Sequence, residues 1–491
     1  MREQTTRRAV RFDAASFATM DMAEYTLQAR PDRSLGPVSK VVGLYQSVMR
    51  RTLEHFFPDS MLEIQGDRSI IDVDVVMHEA PYRLLDDPDR LAIDIEWRGT
   101  RLTFQPGSPV PLFPAERRMI DVIVAALDHR FRSLFDQDLS DRFERFNYLT
   151  EDLIIADFLA AVGPSRIPAA LEALRVAALS TYENKRVTTG ALLLGTPFDP
   201  TTPGRENLQG APQFNARLTA IKGFHRLCDG MRTVFVVDPQ GELVRIADIA
   251  EWAEQTQARR PQPHLCPRPY QSHARATFSG GHVCLVLTPS QEIKVFSEGE
   301  LAFSFSDGRW RLLDIPNKFA VWREAVERSS GGDLARRLFQ AALNLSEARV
   351  GALLVVARDP EKSVPQLIAP IDRMHEEIAV DDPQDPENLS PRLAKRALHH
   401  AVRGMTIGQL EPTVLEAIAS LDGAVVADPD GALLTFGAIL RINPEVLDLG
   451  RSVQGARTLA ALAASQFGPV LKISEDGYVS MFLKGRRVWE F

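Results

Sequence analysis

The chain has 491 residues, of which 45% are hydrophobic and 25% are charged. This composition is typical of folded globular proteins and excludes a largely disordered chain. The length exceeds what one hydrophobic core supports, so we predict several domains. The formal net charge of −8 argues against a broad electrostatic interaction with nucleic acid.

The amino-terminal stretch MREQTTRRAVRFDAASFA is basic but lacks the continuous apolar segment of a signal peptide. No stretch of the sequence approaches the roughly 18 consecutive apolar residues of a membrane-spanning helix. We therefore expect a cytoplasmic protein without a membrane partner.

Residues 1–150 predict an N-terminal α+β domain, to which the sequence assigns no role. The stretches SKVVGLYQSVMRRTLEHFF and AERRMIDVIVAALDHRFRSLFD carry apolar residues at helical spacing. The stretch SIIDVDVVMH alternates like a β-strand. LAIDIEW and TRLTFQP predict a hairpin that turns at Arg98 and Gly99.

Beyond residue 150, three sequence blocks occur twice in the same order. ALRVAALSTYENKRVTTGALLLG corresponds to LFQAALNLSEARVGALLVVA, and each contains a helix, a polar turn and a Gly-Ala-Leu-Leu strand. MRTVFVVDPQGELVRIADI corresponds to LDGAVVADPDGALLTFGAI, with an Asp-Pro-x-Gly turn between two strands in both. SGGHVCLVLTPSQEIKVFSEGEL corresponds to QFGPVLKISEDGYVSMFLKGRR.

The repeat predicts two tandem units, the first unit at residues 151–325 and the second unit at residues 326–491. Helix, strand and hairpin alternate within each unit, which indicates a mixed β-sheet flanked by helices. We therefore place the whole chain in the α/β class, as a mixed α+β protein.

The first unit contains all three cysteines of the chain, which are too few for a disulfide framework. Each cysteine lies two or three positions after a histidine, and such pairs could offer nitrogen and thiolate ligands to zinc. Because the sequence has no Cys-x-x-Cys motif, three buried free cysteines are the favoured interpretation, and zinc stays the alternative. The three pairs are His225 with Cys228, His264 with Cys266, and His282 with Cys284.

Four segments of the second unit resemble the diadenylate cyclase domain superfamily, which includes the nucleotide-binding domain of DNA-integrity-scanning proteins. These segments are LSEARVGALLVV, LDGAVV, GARTLAA and KISEDGYVS, and together they span roughly residues 335–491. Members of the family make cyclic di-AMP from ATP. The order and spacing of the four segments carry the resemblance, since no single segment is diagnostic.

The resemblance implies a nucleotide site in the second unit. Asp422 would hold Mg²⁺ or Mn²⁺ in an active enzyme and help to make a ribose 3′-hydroxyl nucleophilic, while Gly423 would let the backbone approach the ligand. Without the resemblance, this Asp-Gly pair is typical of the start of a strand. The implied nucleotide-binding residues are Asp422, Gly423, Ala424, Gly455, Arg457, Thr458, Ser474 and Glu475.

The segment GARTLAA departs from the family pattern Gly-Thr-Arg-His-Arg-Ala-Ala. Ala456 replaces the threonine, Thr458 replaces the histidine and Leu459 replaces the second arginine. Phosphoryl transfer needs cations and hydrogen-bond donors around the phosphates, so these losses predict that cyclisation is lost.

The first unit departs further from the family. With the Asp-Pro-x-Gly turns in register, Arg232 and Thr233 take the places of the acid and the glycine. A gapped alignment instead matches Asp229-Gly230-Met231, and we prefer the ungapped one. The candidates for phosphate contact in this unit are Ser272, His273 and Arg275.

Three functions follow from the resemblance. The cyclases of the family work as head-to-head dimers, so the two units are expected to form an internal pseudo-dimer around one asymmetric cleft, and the chain could also form a homo-oligomer. The favoured function is a non-catalytic sensor of a nucleotide or cyclic dinucleotide, similar to DACNV-type sensor domains of bacterial signalling and defence, coupled to an effector protein. The alternatives are an active diadenylate cyclase and a protein-interaction scaffold.

Overall fold

A computed structural model of the chain describes the larger part of its residues. The described residues are 37–65, 82–87, 91–107, 111–134, 148–159, 166–195, 211–220, 223–255, 265–326, 333–374, 398–442 and 455–491.

The N-terminal sheet has four antiparallel strands in the order β1-β4-β3-β2. Helices α1 (Pro37–Phe56) and α2 (Pro114–Ser133) accompany it, and each has an apolar stripe that is buried. Both helices were predicted from their spacing and are confirmed. The strands are β1 (Met61–Gln65), β2 (Tyr82–Asp87), β3 (Ala92–Trp97) and β4 (Thr100–Gln105).

The predicted hairpin of this region is confirmed. Strands β3 and β4 pair up to Trp97 and Thr100, and the two turn residues Arg98 and Gly99 both have positive φ angles, 48° and 70°. Two successive residues of this kind form the turn that matches the twist of a two-residue hairpin. The predicted strand SIIDVDVVMH lies outside the described residues.

Sheet 1 has seven strands in the order β13-β12-β11-β10-β7-β8-β9 and is preceded by helices α3 (Thr150–Leu159) and α4 (Arg166–Ala178). Between its strands lie the helices α5 (Phe224–Leu227), α6 (Ile249–Gln255) and α7 (Gln271–Ala276). A small separate hairpin consists of β5 (Thr181–Tyr182) and β6 (Lys185–Arg186). The strands of sheet 1 are β7 (Thr189–Leu193), β8 (Thr233–Val237), β9 (Leu243–Asp248), β10 (Val283–Leu287), β11 (Ile293–Ser297), β12 (Glu300–Ser306) and β13 (Arg309–Leu312).

Sheet 2 has six strands in the order β16-β15-β14-β17-β18-β19. Helices α8 (Ile315–Val326) and α9 (Leu334–Glu347) precede it, and α10 (Pro360–Leu367), α11 (Pro412–Ala419) and α12 (Ala456–Ala464) lie between its strands. The strands are β14 (Ala352–Val356), β15 (Ala424–Ala427), β16 (Leu433–Ala438), β17 (Val470–Ile473), β18 (Val479–Leu483) and β19 (Arg486–Glu490).

The two sheets share one connectivity. In sheet 1, the order β12-β11-β10-β7-β8-β9 corresponds strand for strand to β19-β18-β17-β14-β15-β16 in sheet 2, and β13 is an addition at one edge. The first two strands of each unit, β7 with β8 and β14 with β15, are parallel, and the other neighbours are antiparallel. The chain is thus a mixed α+β protein, and the predicted fold class is confirmed.

Two turns fix how the residues of the sheets correspond. Asp238 and Asp428 open turns with the same pair of backbone hydrogen bonds, and Thr288 and Ser474 open a second matching pair of turns. Both turns align without a gap, and both make Ala191 of sheet 1 equivalent to Leu354 of sheet 2.

This register corrects one detail of the predicted repeat. Aligning the Gly-Ala-Leu-Leu stretches that begin at Gly190 and Gly351 would make Ala191 equivalent to Ala352. The strand pairing makes Thr189 equivalent to Ala352 instead, so the sequence alignment is two residues out of step. Apolar strand residues resemble each other at every second position, so sequence similarity alone tolerates a slip of two.

The units pack head to tail, which contradicts the expected head-to-head pseudo-dimer. Leu192 of sheet 1 shares a hydrophobic cluster with Leu354 and Val356 of sheet 2. The residues of sheet 1 that correspond to this pair, Ala191 and Leu193, face the other way, into the cluster of the N-terminal sheet. A head-to-head pair would join equivalent surfaces. Here opposite faces meet, so the two units have no shared cleft of equivalent surfaces.

Helix α9 lies at the contact between the two units. Gln340 Nε2 donates to the Cys266 carbonyl at 2.7 Å, and the Arg268 backbone N–H donates to Asn344 Oδ1 at 2.8 Å. The segment that leads into α7 of the first unit is therefore covered by the second unit. No comparable cover lies over α12, whose cluster contains described residues of the second unit alone.

The N-terminal sheet also shares its core with sheet 1, since one cluster joins Ile95, Ile155 and Leu285. The predicted domain boundaries at residues 150 and 325 stay predictions. Within the described residues, no helix combines the length and the apolar character needed to cross a membrane.

Candidate functional site

The predicted site residues lie at one edge of sheet 2. Strands β14 and β15 run parallel, so their amino ends, next to Gly351 and Gly423, meet at the same edge. Strand β17 is antiparallel to β14, which brings its carboxyl end, next to Ser474, to that edge as well. Helix α12 packs on β14 and β17 and begins after Gly455, whose φ angle is 102°. The topology therefore gathers segments that are distant in the sequence.

Asp422 lies exposed before β15, and within the described residues its carboxylate has no hydrogen bond or ion pair. Gly423 has a φ angle of 115°, which is accessible to glycine and costly for other residues. A Cβ at this glycine would lie 2.4 Å from the backbone carbonyl carbon of Gly437 on β16. Gly423 thus permits a close approach of two strands, whereas the resemblance implied a close approach to a ligand. Ala424 is the first residue of β15 and is buried.

Arg457 lies in the first turn of α12 and its guanidinium packs against the backbone of Gly351. Any Cβ at Gly351 would overlap with Arg457 Nη1, so the glycine at the entry to β14 makes room for the arginine. The arginine also faces Glu475 at 3.4 Å, but the side chain of Glu475 is 73% exposed. An exposed pair of this length is weak, so the cation is available to another anion.

Lys472 is a site residue that the sequence analysis missed. It lies on β17 beside α12, and its Nζ donates to Thr458 Oγ1 at 3.2 Å. Burial lowers the pKa of Lys472, Glu490 opposes this, and the positive charges of Arg487 and Arg457 lower the pKa further. The signal in the sequence was a single lysine between apolar residues in VLKI.

Ser474 has a structural role in this arrangement. The Ser474 backbone N–H donates to the Tyr478 carbonyl, and the Tyr478 N–H donates to Ser474 Oγ at 3.1 Å. These two hydrogen bonds close the turn between β17 and β18. The turn holds Glu475 exposed beside Arg457. The turn thus positions Glu475, and the hydroxyl oxygen of Ser474 accepts a hydrogen bond within the turn.

The edge is suited to an anion. Gly455 gives α12 no side-chain cap, and the backbone N–H groups of the first helical turn have no partner within the helix. Such a helix end attracts negative charge, and Arg457 and Lys472 add two cations on either side of Thr458. Leu459, where the family pattern has its second arginine, is half-buried and adds no donor.

The carboxylate that the sequence analysis assigned to a divalent ion is Asp422, whereas Glu475 faces Arg457. No group of three or more metal-ligating side chains occurs among the described residues. Mg²⁺ is often held by one or two carboxylates together with the phosphates of a substrate. Asp422 fits this arrangement only when a nucleotide supplies the remaining oxygen ligands.

The corresponding edge of sheet 1 is different. His273 is fully buried, packs on Tyr270 and Phe296, and bonds the Gly230 carbonyl through Nε2 at 2.8 Å. It is therefore unavailable to phosphate, contrary to its selection as a candidate. Val286 occupies the position of Lys472 and is buried.

The other candidates of the first unit are exposed or held by the backbone. Arg232 corresponds to Asp422 in the turn-based register, and its side chain is 82% exposed. Arg275 is exposed and Ser272 is half-buried. Asp229 accepts the backbone N–H groups of residues 231, 232 and 233. Burial raises the pKa of Asp229, but these hydrogen bonds outweigh burial and the net pKa lies below its ordinary value.

The three cysteines are buried free thiols. Burial raises the pKa of Cys228 and of Cys284, and raises that of Cys266 to about 12, which opposes the thiolate form that zinc requires. Cys228 Sγ is hydrogen-bonded to the Thr233 carbonyl at 2.8 Å. His264 and the side chain of His225 lie outside the described residues, so two of the predicted pairs stay untested.

Comparison with known proteins adds little. No family model matches the chain, and no curated protein sequence matches it. The chain is weakly similar in structure to a hypothetical membrane spanning protein from Bacillus cereus, with 20% identity, a TM-score of 0.24, and coverage of 35% of this chain and 69% of that one. It is also weakly similar to a double mutant of DacA from Staphylococcus aureus, with 19% identity, a TM-score of 0.19, and coverage of 32% and 87%.

Proposed function

We propose that the edge of sheet 2 binds a nucleotide or cyclic dinucleotide and that the protein is a non-catalytic sensor. The observation that carries the proposal is the pair of cations, Arg457 and Lys472, that flanks Thr458 at the uncapped start of α12. Phosphate oxygens are the natural partners of such a set, because they accept both charged and backbone donors. Asp422 at the same edge would accept a ribose hydroxyl or share a metal ion with the phosphates.

We propose that the site does not catalyse cyclisation, because the residues beside Arg457 and Lys472 lack the donors that this reaction needs. Phosphoryl transfer depends on donors placed for the charge that develops in the transition state. Thr458 Oγ1 accepts a hydrogen bond from Lys472, and Leu459 supplies an aliphatic side chain where the family pattern has an arginine. Binding needs complementarity to the ground state alone, so affinity can persist where catalysis is lost.

The head-to-tail packing favours one ligand per chain. The first unit has Val286 where the second has Lys472, and its candidate His273 is buried. Among the described residues, the α12 side of the second unit is where we expect the nucleotide to bind and the effector protein to detect it. We expect a stoichiometry of one ligand to one chain.

A thermal-shift panel of ATP, AMP, cyclic di-AMP and cyclic di-GMP tests the proposal. A ligand that binds the native state alone raises the melting temperature. We expect at least one member to do so and Arg457→Met to weaken its binding about 10- to 100-fold, because a charge-assisted hydrogen bond is lost. Lys362→Met, at an exposed lysine on α10, should bind as the parent does.

A turnover assay with ATP and Mg²⁺ or Mn²⁺ separates sensing from catalysis. We expect no cyclic di-AMP to form. Formation of cyclic di-AMP that Asp422→Asn abolishes would show an active cyclase instead. A panel in which no nucleotide shifts the melting temperature would reject nucleotide binding and leave the scaffold function.

A further inference from the structure

A cavity lies where the three parts of the chain meet. It has a volume of about 190 Å³. Its walls come from the N-terminal region, from β13 and α8, from the turn before β18 and from β19 with Phe491. The residues that decide its chemistry are Glu116, Lys318, Tyr478, Trp489, Glu490 and Phe491.

Lys318 is the unusual member of this wall. It is 2% exposed, and within the described part of the chain its ammonium has no hydrogen bond and no ion pair. The ring of Phe491 lies near this ammonium, with its centroid 5.3 Å from Nζ. Burial lowers the pKa of Lys318, and Glu116, Asp314 and Glu490 raise it in part. An ammonium buried without acceptors is costly, so the site calls for an acceptor.

The carboxylates around Lys318 are engaged elsewhere. Glu116 Oε2 accepts the Phe113 backbone N–H at 3.0 Å, and Asp314 accepts the Asn317 side-chain amide at 2.9 Å. Glu490 accepts both Ser480 Oγ, at 2.5 Å, and Arg487 Nη1, at 3.0 Å. These acids contribute charge at a distance and leave the three N–H groups of Lys318 without acceptors.

A second donor lines the same cavity. Trp489 is 4% exposed, and its Nε1–H is buried and has no acceptor among the described residues. A buried indole N–H normally finds a partner. Lys318 and Trp489 of this wall therefore both carry donors that lack acceptors, as does Arg311 at its Nε.

The remaining cations of the wall, Arg311 and Arg487, each make side-chain hydrogen bonds. Arg311 donates to Ser306 Oγ at 2.7 Å and lies over the Tyr478 ring at 4.3 Å, and Arg487 is paired with Glu490. Lys318 is thus a cation of this wall whose charged group has no hydrogen-bond acceptor among the described residues.

The shape and the walls define the body of the ligand. A cavity of about 150 Å³ holds a benzene ring, so 190 Å³ suffices for one ring with a small polar group. Tyr478, Trp489 and Phe491 present aromatic surface, and the last two stack with ring centroids 5.6 Å apart. Flat apolar ligands pack well on such surface.

We propose that this cavity binds a small aromatic monocarboxylate, with the carboxylate accepting hydrogen bonds from Lys318 and Trp489 and the ring packed on the aromatic wall. This site is separate from the edge of sheet 2 and does not depend on nucleotide binding. It would join the three parts of the chain, because each of them contributes to the wall.

Benzoate is the probe for this site, and isothermal titration of the full chain is the measurement. We expect benzoate to bind and its neutral analogue benzamide to bind at least about tenfold more weakly, because Lys318 requires an anion.

Variants locate the binding. Lys318→Met should lower benzoate affinity about 10- to 100-fold, and Trp489→Phe should lower it by a smaller factor. Arg457→Met and Lys362→Met should leave it unchanged. If Lys318→Met does not fold, Trp489→Phe and the contrast between benzoate and benzamide decide the question.

Three results would overturn the proposal. The first is the absence of benzoate binding at millimolar concentration, which would mean that water alone fills the cavity. The second is equal binding of benzoate and benzamide. The third is benzoate binding that survives in folded Lys318→Met or is lost in Arg457→Met.

Discussion

The imidazole of His273 is buried against Tyr270 and Phe296 and has a pKa lowered to about 4, chiefly by burial, which its hydrogen bond to the Gly230 carbonyl and the charge of Asp229 oppose in part. In the unfolded chain a histidine has a pKa near 6.5. At pH values between these two pKa values, the imidazole is protonated in the unfolded chain and neutral in the folded chain. The contribution of His273 to stability is therefore complete above about pH 6.5 and decreases as the pH falls towards 4.

Replacing His273 with Gln should flatten this pH dependence. The amide can still donate to the Gly230 carbonyl, but it does not titrate. Between pH 7 and pH 5 the parent should lose about 2 kcal/mol more of its free energy of unfolding than the variant, at a slope of up to about 1.4 kcal/mol per pH unit. Urea denaturation at the two pH values measures the difference. Parallel losses in both proteins would contradict the assignment.

Single residues of the site were partly visible in the sequence. Arg457 was selected from its motif, and the structure places it beside Gly351, which also lies in a motif. Lys472 was missed, because its relevance depends on α12 packing over β17, and no local pattern states that contact. The predicted nucleotide-binding set remains a prediction until a ligand is found.

At the scale of elements, Gly423 joins two strands of sheet 2. Its backbone touches Gly437, so the close contact between β15 and the end of β16 depends on the absence of a Cβ. Gly404 is a matched comparison, because its φ angle of 77° is also positive but a Cβ there would meet nothing within 4 Å. The pair separates backbone strain from steric overlap.

Gly423→Ala should destabilise the protein more than Gly404→Ala. The left-handed conformation alone costs an alanine about 1 kcal/mol, and overlap with the neighbouring backbone should raise the total at Gly423 to about 3 kcal/mol or more. Urea denaturation of both variants measures the two costs. Similar destabilisation by the two substitutions would show that the strands separate without penalty.

Turns and strands differed in how well the sequence specified them. The Asp-Pro-x-Gly turns aligned correctly, because their hydrogen bonds need particular residues at particular positions. The Gly-Ala-Leu-Leu strands were aligned two residues out of step, because any apolar residue suits a buried strand. The N-terminal helices and hairpin were predicted from local periodicity, which the structure preserves.

At the scale of the whole molecule, buried ion pairs join the two units. Lys294 on β11 is 6% exposed and lies 2.7 Å from Glu347 Oε2 at the end of α9 and 3.1 Å from Glu292 Oε2. Arg349 after α9 pairs with Glu292, and Tyr270 donates to Glu347 at 2.8 Å. This network crosses between sheets that correspond in topology but meet through different faces.

Lys294→Met should destabilise the protein by about 3 to 5 kcal/mol, because it removes the buried cation that Glu292 and Glu347 share. Adding Glu347→Gln should recover part of that loss, since neighbouring residues of one network are coupled. Chemical denaturation of the single and double variants gives the coupling. Lys362→Met, which removes an exposed ion pair, should leave the stability nearly unchanged. Strict additivity of the two changes would contradict the network.

The sequence by itself determined the mixed α+β class, the repeated order of helix, strand and hairpin, and the turns within each unit. These depend on local periodicity and on turn residues, which act over short distances. Only the tertiary structure decided that the units stack head to tail, that His273 is buried, and that Lys472 reaches Thr458. The reason is that apolar faces can be buried in several arrangements of similar sequence pattern, and the packing of whole elements selects among them.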